Sequence, residues 1–215
     1  MIEEILPRGV AAAWLPGDAV PEPLPREEEA ALVRAVEKRR REFALGRSCA
    51  RRAIAALGYT PVPLPPGPSR APVWPAGRVG SITHCAPYCA AAVAEAAAYW
   101  GVGIDAEPDE ALPPGVSGMV LTAAERGWIA AAPSGVCWDR LVFSAKEAVF
   151  KVWHPLTGAW LGFQDAELAV DPRGGAFEAT LLRAPPPPTA APLMRLSGRF
   201  LVRAKVIVTA IALTR

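Results

Sequence analysis

The chain has 215 residues, of which 52% are hydrophobic and 20% charged, with a net charge of +2. That is enough apolar material for one large domain or two lobes of about 100 residues each. The charge is too slight to predict a nucleic-acid partner, and no apolar run is long enough to span a bilayer, since Ala90 to Ala98 is short and broken by Glu95.

The start, Met1-Ile-Glu-Glu, is acidic and lacks the apolar stretch of a secretory leader. From Glu27 to Leu57 the sequence is rich in Ala, Glu, Arg and Leu and predicts a helix interrupted near Gly46. This stretch concentrates cationic charge at Lys38 to Arg41, Arg47, Arg51 and Arg52. Such a patch suits an anionic ligand or an acidic partner, and equally a solvated helix face. Pro61 to Pro72 predicts an extended connector, because proline breaks helices and central strands. Val79 to Thr83, Ala91 to Glu95 and Tyr99 to Glu107 predict short strands. Leu121 to Ala131 and Trp138 to Trp153 predict helices. After them come strands at Leu168 to Val170, Phe177 to Leu182, Arg195 to Val202 and Lys205 to Leu213, with a proline loop at Pro185 to Pro188. Helices followed by strands in each half predict an α+β protein of two lobes, residues 1–100 and 101–215.

Cys49, Cys85, Cys89 and Cys137 form no Cys-x-x-Cys pair, which together with the missing leader predicts a cytoplasmic protein with free thiols. His84 beside Cys85 and Cys89 fits no common zinc spacing. Trp14, Trp74, Trp128, Trp138 and Trp160 are expected to be packing residues, and Glu125 a helix-surface charge.

Two stretches carry chemistry. In the strand over Tyr99 to Glu107, Val102, Ile104 and Ala106 share one face, and Asp105 and Glu107 share the other. Neighbouring carboxylates repel unless a cation lies between them, and such oxygen ligands suit Mg²⁺, which also takes substrate phosphates. The alternative is a solvated strand end. The helix over Trp138 to Trp153 places Leu141, Ala145, Ala148, Val149 and Val152 on one face, with Phe143 and Phe150 opposite. A helix apolar on both sides is expected to be largely buried. It nevertheless carries Ser144, Lys146, Glu147 and Lys151, with Glu147 and Lys151 spaced as neighbours. Burying such charges is costly, which favours function over a surface ion pair.

Gly103-Ile-Asp-Ala-Glu107, followed about 40 residues on by Phe143-Ser-Ala-Lys-Glu-Ala-Val-Phe-Lys151, resembles the two signatures of Sfp/EntD-type 4′-phosphopantetheinyl transferases. Ser81-Ile-Thr-His-Cys85 resembles that family's Ser-x-x-His motif. Arg39-Arg-Arg-Glu-Phe with Gly46-Arg-Ser-Cys-Ala-Arg51 resembles its arginine-bearing helix. Trp153-His-Pro-Leu-Thr-Gly-Ala-Trp-Leu-Gly-Phe163 resembles the continuation in its actinobacterial branch.

The resemblance implies a pseudo-twofold pair of similar α+β lobes with coenzyme A in the cleft between them. It implies that Asp105, Glu107 and Glu147 hold Mg²⁺, with Mn²⁺ as an alternative, at the pyrophosphate. Glu147 would be the general base for the carrier-protein serine and Lys151 would stabilise or protonate the leaving phosphate. Lys146 would contact the pyrophosphate, and His84 would meet the 3′-phosphate, helped by Arg39 and Arg47, with Ser81 beside it in the coenzyme A site. The family's connector lysine is missing from Pro65-Pro-Gly-Pro-Ser-Arg-Ala-Pro-Val-Trp74, where Arg70 is the substitute, with different geometry. The implied partners are coenzyme A and apo acyl, polyketide or peptidyl carrier proteins, with the enzyme a monomer. Two competing readings are a nucleotide pyrophosphatase-like Mg²⁺ enzyme, for which no Gly-x-x-x-x-Gly-Lys-Ser/Thr is present, and a non-catalytic coenzyme A or carrier-binding module, which would not need these carboxylates.

Overall fold

The computed structural model describes residues 1–67, 71–187 and 191–215. It is an α+β structure with two antiparallel sheets. The smaller sheet contains β1 (Val10–Pro16), β2 (Arg78–Cys85) and β3 (Tyr88–Glu95) in the order β1-β3-β2. The larger contains β4 (Tyr99–Pro108), β5 (Ala166–Asp171), β6 (Ala176–Leu181), β7 (Arg195–Arg203) and β8 (Val206–Thr214) in the order β4-β8-β7-β6-β5. Before the long helices lies α1 (Arg26–Glu29). Then come α2 (Glu37–Ala56), α3 (Val116–Val120), α4 (Ala123–Ala130) and α5 (Trp138–Thr157).

Strand periodicity builds the layers. On β3, Cys89, Ala91 and Val93 pack under α2 with Leu45, Cys49 and Ile54. The alternate residues Tyr88, Ala90, Ala92 and Ala94 meet Val102, Ile104 and Ala106 of β4 and Val206, Val208 and Ala210 of β8. The other face of β8, through Ile207 and Ile211, packs under α5 against Leu141, Ala145, Ala148, Val149 and Val152. Each buried Leu, Ile or Val here contributes roughly 1.5–3 kcal/mol relative to exposure. The result is helix, sheet, sheet, helix, with one 20-residue helix on each sheet.

The two sheets meet along β2 and β4 without a backbone ladder. Serine and threonine hydroxyls substitute for it. Ser81 Oγ accepts the Ile104 N–H at 3.1 Å and Thr83 Oγ1 accepts the Ala106 N–H at 2.9 Å. Because these groups are buried, leaving them unpaired would cost about 1–3 kcal/mol each.

Several sequence expectations shift. The helix expected over Glu27 to Leu57 breaks before Glu37, not at Gly46, which lies inside α2. A Cβ at Gly46 would sit 2.9 Å from Ile82 Cγ2, so the glycine lets helix and sheet approach closely. β1 and α3 were not anticipated, and α5 runs one turn beyond Trp153, through Pro155, to Thr157. The four cysteines are unpaired thiols. No helix among the described residues is long and apolar enough to cross a membrane.

Candidate active site

A cleft of about 870 Å³ opens between α2 and β2 on one side and β4 and α5 on the other. Its α2 wall is cationic. Arg47 is buried, with its guanidinium carbon 4.2 Å from the centre of the Phe43 ring and its Nε donating to the Leu64 carbonyl at 2.6 Å. Its Nη2 is buried without a hydrogen-bond acceptor among the described residues. Burial lowers the Arg47 pKa to about 10, with Glu28 opposing the shift and Arg39 and Arg51 adding to it, so the group stays charged at neutral pH. Arg39 Nη1 lies 3.3 Å from His84 Nε2 at the mouth of the cleft. The His84 pKa is lowered, first by loss of hydration; Glu42 opposes this, Arg39 and Lys151 add to it, and Asp105 opposes.

The opposite wall carries Lys151, and glycine brings its strand and helix close. A Cβ at Gly103 would run into the Ala148 carbonyl oxygen of α5, so only glycine lets β4 lie this near the helix. Asp105, two residues on, is buried. Its Oδ1 accepts from Lys151 Nζ at 2.8 Å and from Thr83 Oγ1 at 3.1 Å. Its Oδ2 is buried with no partner among the described residues. Lys151 also donates to the Ile104 carbonyl at 3.0 Å. The neighbour relation expected between Glu147 and Lys151 is therefore not an ion pair: the lysine crosses to the strand. Glu147 faces a small cavity of about 130 Å³ lined with Phe150, Trp160, Leu161 and Phe163. Its pKa is raised, mostly by burial and then by Asp105, with Lys151 opposing. Glu107 is raised by burial and Asp105 also, against the opposing bond from Arg140 Nη1 to Glu107 Oε2 at 2.9 Å.

Among the described residues no three His, Cys, Asp or Glu side chains converge closely enough to hold a metal ion by themselves. The donor chemistry still fits a hard divalent cation. The candidates are all oxygen, one buried oxygen of Asp105 is unused, and two carboxylates are held above their ordinary pKa partly by the charge of Asp105. Mg²⁺ characteristically takes one or two carboxylates, completing its shell with phosphate and water.

Other expected site residues stand elsewhere. Lys146, expected at the pyrophosphate, lines the small cavity beside Glu147. Its ammonium is buried and spends all three N–H groups, each at 2.8 Å, on the Val120 carbonyl, the Phe163 carbonyl and Glu125 Oε2. Glu125, expected at the surface, is 2% exposed. It closes the α4 capping box with Thr122 and accepts the Leu168 N–H. Ser81 borders the cleft, but its Oγ serves the β2–β4 seam. Arg70 lies outside the described residues. Trp138 packs in the core with Trp128 edge-on at 5.3 Å. Trp74 lies against Gly80 and lines the cleft. Trp14 and Trp160 are not core residues, at 43% and 72% exposed, and Trp160 stands beside Phe150 at the cleft. Arg140 was not anticipated. Its signal was its position two helical turns before Glu147, hence on the same face.

A model of the 4′-phosphopantetheinyl transferase N-terminal domain matches residues 27–94, and one of the 4′-phosphopantetheinyl transferase superfamily matches residues 101–191. The chain is 48% identical over 218 residues to the 4′-phosphopantetheinyl transferase Svp of Streptomyces mobaraensis, covering 99% of this chain and 89% of that protein. It is 44% identical over 225 residues to Npt of Nocardia iowensis, covering 99% of each. Enterobactin synthase component D of Escherichia coli is more distant, 35% identical over 144 residues, covering 65% of this chain and 66% of that protein.

Proposed function

The chain belongs to the 4′-phosphopantetheinyl transferase superfamily, and from that premise we propose that it moves the phosphopantetheine arm of coenzyme A onto a serine hydroxyl of an apo carrier protein, with Mg²⁺, releasing adenosine 3′,5′-bisphosphate. The observation that carries the reading is a cationic cleft whose lysine is bonded to a buried carboxylate. Arg39, Arg47 and His84 stand on one wall and Lys151 on the other, where its Nζ is bonded to Asp105 Oδ1, with Glu147 one helical turn away. Residues 1–100 and 101–215 act as the two lobes that supply these walls.

Each group has a role that follows from its surroundings. The free Nη2 of Arg47 is an acceptor-seeking cationic donor, suited to a phosphate oxygen of the nucleotide end, with Arg39 and His84 at the same rim. Asp105, Glu107 and Glu147 hold the cation, which when bound draws charge from the phosphoryl oxygens and helps fix the pyrophosphate. Glu147 takes the proton of the carrier serine as its oxygen bonds to the β-phosphorus. The bond from that phosphorus to the bridging oxygen breaks, and Lys151 stabilises the oxygen left on the nucleotide phosphate. Without a metal ion, burial and Asp105 hold the Glu147 pKa above that of a solvated carboxylate, while a bound cation would lower it. Phe150 and Trp160 border both the cleft and the small cavity at Glu147, so the arm and the serine meet beside apolar walls. The protein acts in the cytoplasm as a monomer.

Intact-mass spectrometry of an apo carrier incubated with the protein, coenzyme A and Mg²⁺ tests this reading. A single phosphopantetheine increment that EDTA abolishes is the expected result. Coenzyme A binding without any increment on acyl, polyketide or peptidyl carriers would replace the enzyme reading with a binding module.

A further inference from the structure

Asp105 and Glu107 stand on β4 while Glu147 stands on α5, so whatever fixes the end of that strand against that helix decides whether the carboxylates serve one cation. Arg140 does this with three bonds. Its Nη1 holds Glu107 Oε2 at 2.9 Å, its Nε the Glu110 carbonyl at 3.0 Å, and its Nη2 the Ala111 carbonyl at 3.0 Å. Two neighbouring acids complete the staple between the same segments. Asp109 Oδ1 accepts the Cys137 N–H at 2.8 Å, and Asp139 Oδ2 accepts the Leu112 N–H at 3.0 Å.

We propose that Arg140 is the positioning residue of the carboxylate site: it orients Glu107 and holds the turn after β4 in register with the helix that carries Glu147. The inference rests on the transferase reading given above. Arg140 is 14% exposed and Glu107 20%, so the bond is partly shielded from solvent and stronger than a surface pair. With Oε2 occupied, Oε1 is the Glu107 oxygen left without a donor among the described residues. A single free oxygen suits a small octahedral cation, which takes its ligands singly and keeps waters, better than a larger one that accepts both oxygens of a carboxylate. Two helical turns of α5 join Arg140 to Glu147, so the two carboxylates are set relative to one another by a rigid element. Only arginine's planar fork reaches one carboxylate and two divergent carbonyls together; a lysine in its place keeps the charge and loses the geometry.

The test is Mn²⁺ binding to the full chain with coenzyme A present, read from the loss of the free-ion signal in electron paramagnetic resonance. It is run for the natural protein, Arg140→Lys and Arg140→Met, with melting temperature and KM for coenzyme A measured alongside. Arg140→Met is expected to weaken Mn²⁺ binding by about 10–100-fold, as losses of groups that orient metal ligands do, and Arg140→Lys by less. The Mg²⁺ concentration for half-maximal carrier modification should rise in parallel, with KM for coenzyme A unchanged once Mg²⁺ is saturating. Variants that bind Mn²⁺ as tightly as the natural protein would overturn the proposal. Tighter binding by Arg140→Met would overturn it too, since Arg140 would then be a competitor for Glu107. If Arg140→Met does not fold, Arg140→Lys carries the test. Absence of both Mn²⁺ binding and Mg²⁺-dependent transfer in the natural protein would instead remove the transferase reading, and the proposal with it.

Discussion

The two 20-residue helices face one cleft with opposite equipment. On the α2 side, charge is largely compensated within the fold. Arg51 Nη1 is bound to both oxygens of the fully buried Glu28, whose Oε1 also accepts the Leu64 N–H. Arg47 holds the carbonyl of that same Leu64 and keeps one buried Nη2 unused. On the α5 side, carboxylates are crowded, with Glu107 and Glu147 raised above their ordinary pKa. Yet α5 also carries a buried charge that is fully compensated, Lys146, one residue before Glu147. The difference separates charges whose partners lie within the fold from carboxylates that burial and a neighbouring charge hold above their ordinary pKa.

Removing the Glu147 carboxylate, the proposed base, should have the largest effect. Glu147→Gln is expected to slow carrier modification by about 10²–10⁴-fold, the usual range for a lost general base, as read by time-resolved intact mass. A variant that turns over normally would take Glu147 out of the mechanism. The compensated charge beside it should behave differently. Lys146→Met strands Glu125 in the interior and is expected to cost about 3–5 kcal/mol. For a chain of this size that lowers the melting temperature by roughly 10 °C, and replacing Glu125 by a hydrophobic residue as well should recover much of it. A melting temperature that does not move would mean the buried pair is not what secures α4 and β5 to α5. On the opposite wall, Arg47→Met removes the free donor and should weaken coenzyme A binding about 10–100-fold, in line with about 1.5–3 kcal/mol for a hydrogen bond to a charged group. Transfer at saturating coenzyme A should be far less affected.

The smallest expected effect is on stability against pH. Glu107 and Glu147 have folded pKa values above the ordinary 4.5, so the native protein binds protons the unfolded chain does not. Their contribution to stability is fully present below the ordinary value and is lost as pH rises through the raised ones. In metal-free buffer the melting temperature should therefore carry a component that declines over that window, and Glu147→Gln should lack part of it. Identical pH profiles for the two proteins would mean that Glu147 is not strained in the native state.

Much of this contrast was legible in the sequence because it depends on local periodicity. Alternation along β4 correctly divides Val102, Ile104 and Ala106 from Asp105 and Glu107, and the spacing of Leu141, Ala145, Val149 and Val152 identifies the core face of α5. What escaped depends on partners distant in the chain. Nothing local says that Lys146 turns inward to Glu125 or that Lys151 prefers Asp105 to Glu147, because those partners lie 21 and 46 residues away. β1 escaped because Val10-Ala-Ala-Ala-Trp14 shows no alternation and alanine favours helix. Gly46 predicted a helix break because the sequence does not show the close contact with β2 that requires it. The burial of Glu125 was partly readable, since Thr122-Ala-Ala-Glu125 has the spacing of a capping box.

The division of labour across the cleft is tested most directly by titrating coenzyme A into Arg47→Met and Glu147→Gln by calorimetry and assaying both for carrier modification. The account predicts that Arg47→Met loses affinity but still transfers when saturated, while Glu147→Gln binds coenzyme A in metal-free buffer as the natural protein does and transfers slowly even when saturated. Equal losses of binding and transfer in both variants would contradict it.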